Sequence, residues 1–63
     1  MTAGPQLSSV ATSLAELTER LTGIAEAMVG TERDDLALAL FDVERTLRTA
    51  GRRLDRVVDD LRG

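Results

Sequence analysis

Residues 39–61 read ALFDVERTLRTAGRRLDRVVDDL and place five arginines between positions 45 and 56, in a chain of net charge −3. Arginine is the side chain that grips carboxylates in pairs and phosphates by charge, so the segment raises the question of a partner. Three readings follow. In the first, Arg45, Arg48, Arg52 and Arg56 form a solvated helix face with intrahelical pairs. Asp55 stands three residues after Arg52, and Asp59 and Asp60 stand three and four after Arg56. Such pairs contribute only about 0.2–0.5 kcal/mol each. In the second, the arginines meet an acidic protein surface. In the third they meet nucleic acid, which the negative net charge, the adjacent acids and the lack of interleaved aromatics argue against.

Other chemistry has little to work with. The 63 residues include no histidine, cysteine, lysine, tyrosine or tryptophan, so the usual general bases, nucleophiles and soft metal ligands are missing. Ser8, Ser9 and Ser13 have no base in sequence reach. Asp34/Asp35 and Asp59/Asp60 are consecutive, so on a helix they point to different sides. The glycines at 4, 23, 30, 51 and 63 form no phosphate loop. The expectation is a non-catalytic chain with no cofactor and no metal. The all-arginine basic set reads as the coding bias of a GC-rich bacterial genome. No apolar run approaches the ~20 residues of a membrane span. The opening MTAGPQL lacks the basic and apolar regions of a signal peptide, so a cytoplasmic location is expected.

The elements that carry these residues are legible in the apolar spacing. Leu7, Val10, Leu14, Leu17, Leu21, Ile24 and Met28 step alternately by three and four. So do Leu36, Leu40, Val43, Leu47, Ala50, Leu54, Val57 and Leu61. These are two heptad seams. They predict helices over about 5–29 and 32–62, with Pro5 in a first turn. The turn at 30–31 joins them. Gly30 is placed to end the first helix in the left-handed conformation. Thr31 is placed as N-cap of the second, with Asp34 three residues on as a short-armed capping box.

So short a turn makes the helices antiparallel neighbours. Facing positions then have a constant sum, and seven layers from Met28/Leu36 to Leu7/Val57 close on 64. The predicted fold is all-α: an antiparallel, coiled-coil-like two-helix hairpin forming a single unit. With Leu7, Leu14, Leu21 and Met28 at heptad position a, Val10, Leu17 and Ile24 are at d. In the second half Leu40, Leu47, Leu54 and Leu61 are at a, and Leu36, Val43, Ala50 and Val57 at d.

One seam gives so short a chain little core, so a second apolar face is expected. Ala11, Ala15, Thr18, Ala25, Ala37, Phe41, Gly51 and Val58 lie beside the seam at e and b. Two accounts of them stand open: residues tolerated on a wet face, or a lining against which another helix packs closely. Gly51 fits a close backbone approach or a kink. The second account leads to a homodimer forming a four-helix bundle through this self-association face. The bundle would act as a protein–protein interaction or regulatory module. Its partner-binding candidates are Leu38, Arg45, Arg48, Arg52 and Arg56. A rival is a small accessory subunit whose face is filled by a larger enzyme or complex, and a further one is weak association with nucleic acid.

Overall fold

The computed structural model describes residues 2–63. It contains two helices, α1 (Ala3–Met28) and α2 (Asp34–Arg62), packed on each other as a hairpin. The Cα trace measures 50 × 14 × 9 Å, a slab one helix thick and two helices wide. Pro5 falls in the first turn of α1, where its missing N–H would have had no helical partner. Gly30 has φ +79°, in the left-handed region, and lets the chain leave α1 as expected.

The turn is longer than the spacing predicts, because Thr31 does not cap α2. Its hydroxyl donates backwards to the Met28 carbonyl at 2.6 Å and accepts the Arg33 N–H at 3.2 Å. The Asp34 carboxylate reaches back to accept the Gly30 N–H. The capping residues therefore knit the turn itself, and α2 begins at Asp34 rather than at 32. Asp34 and Asp35 still put negative charge at the positive end of the α2 dipole.

The two helices meet along a line rotated from the predicted seam. The buried residues are Ala25, Thr18, Ala37 and Val58, all at heptad position e. The a residues Leu7, Leu14, Leu21, Met28, Leu40, Leu47 and Leu54 are half-buried beside them. The d residues are exposed. The contact thus runs between a and e on both helices, with small residues at its centre. The recorded cross-helix contacts fit the antiparallel register: Leu14 lies beside Gly51 and Thr22 bonds Glu44, with sums within two of 64.

No large side chain is fully buried, so leucines flank the line of approach instead of filling it. The hydroxyl of Thr18 is satisfied within its own helix, donating to the Leu14 carbonyl at 2.7 Å. That removes the cost of burying it.

Gly51 is half-buried in this contact, and α2 runs through it as continuous helix. A Cβ at Gly51 would meet Leu14 Cδ2 at 3.8 Å, an ordinary van der Waals contact. Backbone crowding therefore does not require glycine there. Gly51→Ala should stabilise the fold by about 1 kcal/mol through helix propensity. Gly30→Ala should cost about 1 kcal/mol, because its φ is positive. Urea unfolding of the two variants checks both signs.

Candidate interaction face

The rotation of the contact changes the surface that is left over. On α1, Val10, Leu17 and Ile24 are each more than half exposed, at 53–57%. On α2, Leu36, Val43 and Val57 are 37–46% exposed, with Ala50 also exposed among them. These are the d positions of both helices. Because e and b residues of both helices line one common groove, among them Ala11, Ala15, Gly51 and Asp55, the d positions share the opposite side of the slab. The result is one apolar face made of two parallel stripes. Contiguous exposed aliphatic surface of this kind makes this face the candidate for an interaction site.

The residues expected to form a self-association face lie mostly within or beside the hairpin's own contact. Ala25, Ala37, Thr18 and Val58 are consumed inside the hairpin, where their small size lets α1 and α2 approach. Ala11 and Gly51 are half-buried in the same contact, and Phe41 is half-buried at its edge. Ala15 is exposed on the groove side. The physical reason is order of packing. Small residues allow the closest approach, and the nearest helix available is the one across the turn. The larger d side chains then remain outside.

The flanks of the apolar face are mixed. Heptad position g borders it and carries Gln6, Ser13, Arg20 and Ala27 on α1 and Ala39, Thr46, Arg53 and Asp60 on α2. All of them are exposed. Arg20 and Arg53 make no ion pair among the described residues.

The arginine segment divides in two. Arg45 pairs with Asp42 at 3.4 Å and Arg48 with Glu44 at 3.2 Å. Arg52 donates to the Thr49 hydroxyl at 3.2 Å, and neither it nor Arg56 meets a carboxylate among the described residues. Leu38, 72% exposed, heads a stripe that continues through Phe41, Arg45, Arg48 and Arg52 at helical spacing. That stripe lies on the outer and groove sides of α2, away from the d face. Arg56, at position c, stands off it.

Glu44 is the one acid drawn into the helix–helix contact. Its carboxylate accepts from the Thr22 hydroxyl across the hairpin and from Arg48 one turn along. The Thr22 hydroxyl, and then the Arg48 guanidinium, hold its carboxyl below the ordinary value of 4.5. Glu44 and Thr18 are both at e and face each other in the antiparallel register, but the Glu44 bond is to Thr22, one turn further. Comparison with family models, with curated proteins and with solved structures returned no match. No helix of the described residues is long and apolar enough to cross a membrane.

A carboxyl held low in the folded state contributes stability that is present above its unfolded pKa and is lost as pH falls through the folded value. For Glu44 that window opens near pH 4.5 and extends downward. Glu44→Gln should therefore lose less stability than the parent between pH 5 and pH 3, and Thr22→Val should do the same in part. Urea midpoints at several pH values read the difference. Equal acid losses in all three proteins would show that the cluster does not couple to folding.

Proposed function

We propose that this chain is a non-catalytic protein–protein interaction module that works as a homodimer. Two hairpins bury their d faces against each other as a four-helix bundle, and the bundle presents the Leu38–Arg52 stripe to a second protein. The observation that carries the reading is the continuous face of half-exposed valine, leucine and isoleucine at d.

Area supports it. The hairpin exposes 4811 Å². A compact monomer of its 6.8 kDa mass would expose about 4000 Å². The excess, about 800 Å², matches what one partner buries in a standard interface. Packing in two layers also supplies what a single contact centred on alanine does not, a core of large side chains. The a and d residues of four helices would meet at the centre, as bundles require.

The stripe from Leu38 to Arg52 lies on the other side of α2, so dimerisation leaves it open. Its chemistry is an apolar knob followed by cations, suited to an acidic protein surface with a hydrophobic notch. The rival, an accessory subunit of a larger enzyme or complex, would use the same d face with a different occupant.

Light scattering over a concentration series separates the two. The parent should show about twice 6.8 kDa. Leu17→Glu and Val43→Glu should each weaken association at least about 100-fold, since each dimer would bury two unpaired carboxylates. Phe41→Glu, on the other side, should leave the mass unchanged. A parent that remains monomeric when concentrated would favour the accessory-subunit reading.

A further inference from the structure

We infer that the second copy lies on the d face with its turn at the opposite end, so that α1 packs on α1 and α2 on α2 of the second copy. This rests on the self-association proposed above and specifies how it is built.

The first argument is symmetry of the face. The α1 stripe of Val10, Leu17 and Ile24 is centred on Leu17. The α2 stripe of Leu36, Val43, Ala50 and Val57 is centred between Val43 and Ala50. In a register whose facing positions sum to 64, that midpoint lies level with Leu17 to within one residue. A single two-fold axis through this level, perpendicular to the long axis, therefore carries each stripe onto itself. A closed two-fold pair needs such a self-complementary patch.

The second argument is volume. With the turns at opposite ends, Ile24 meets Val10 of the second copy, Leu36 meets Val57, Val43 meets Ala50, and Leu17 meets Leu17. Larger side chains oppose smaller ones, or the centre meets itself, so the filled volume stays even along the bundle. With the turns at the same end, Ile24 and Leu36 of both copies would crowd one end. Val10 and Val57 of both, with Ala50 next to them, would leave the other end thin. Cores pack to uniform density, and both crowding and voids are costly.

The third argument is charge. Arg20 and Arg53 flank the face and have no carboxylate partner within the hairpin among the described residues. In the arrangement with opposite turns, Arg20 comes within two residues of level with Glu16 of the second copy, and Arg53 within two of level with Asp42. Each unpaired cation at the rim thereby gains an acid, twice over by symmetry. Rim pairs add little energy but fix register and orientation.

The arrangement is tested by the distance between the two turns. The chain has no cysteine, so Glu32→Cys gives one labelling site per copy, in the exposed turn and outside the proposed interface. Nitroxide labels there are read by double electron–electron resonance in the full-length dimer. Thirty residue levels separate the labels if the turns lie at opposite ends, or about 45 Å at the helical rise. A distance near that value supports the inference. With the turns at the same end, helix axes 8–10 Å apart would bring the labelled backbones within about 20 Å, and that result overturns it. If the labelled protein is a monomer by light scattering and shows no distance, self-association itself fails. That outcome is distinct from a dimer of the wrong orientation.

Discussion

Two helices have one line of contact, and each helix of this chain carries an apolar arc wider than one line. That mismatch governs the rest of the structure. Heptad positions a, d and e are all apolar or small over most of both helices. The hairpin closes on the a/e edge of the arc, with Ala25, Ala37, Thr18 and Val58 buried along it. Close approach of small residues brings the flanking leucines within reach of the facing helix and satisfies the turn. The d edge is then left to solvent or to a partner.

The arrangement of faces follows from this choice. A contact centred on the conventional a/d seam would have buried Leu17 and Val43 and left Ala25 and Ala37 outside. Such a hairpin would have a fuller core and a smoother surface. The observed one has a thin core and an exposed face of branched aliphatics, which gives it a reason to associate. The side chains that hold the hairpin and those left exposed are therefore different sets on the same two helices. Charge respects the division: the exposed d stripes are uncharged, while the arginines that pair locally, Arg45 and Arg48, sit on other sides of α2.

Much of the fold was legible in the sequence, because a period of three and four is a property of helices whatever they pack against. The antiparallel register was legible for the same reason, and Gly30 marked the exit from α1. Which edge of the arc would close was not. Positions a and d are aliphatic and position e is mostly small, and the choice among them depends on how near two backbones can come. The signal was nonetheless present: Ala25 with Ala37 and Ala11 with Gly51 face each other at e, and two such small pairs imply a close approach between the helices that carry them. The start of α2 was missed for a local reason. A threonine followed by an aspartate three residues on can cap a helix, but here both side chains bond the turn.

Glu44 links the inside of the hairpin to the face outside it. A carboxylate in a helix–helix contact is costly unless its oxygens find donors. Here Thr22 and Arg48 supply them. A slip of one heptad would bring Glu44 opposite Ala11 or Ala25, where no hydroxyl stands across the contact. The aliphatic positions would tolerate that slip, because leucine would still meet leucine. The short turn between Met28 and Asp34 does not allow it, and the polar cluster reinforces the register that the turn sets. Once the register is fixed, the levels of the two d stripes are fixed relative to each other. Their common midpoint at Leu17 exists only in that register. The turn and the acid inside the hairpin thus act together to set the relative levels of the two exposed d stripes.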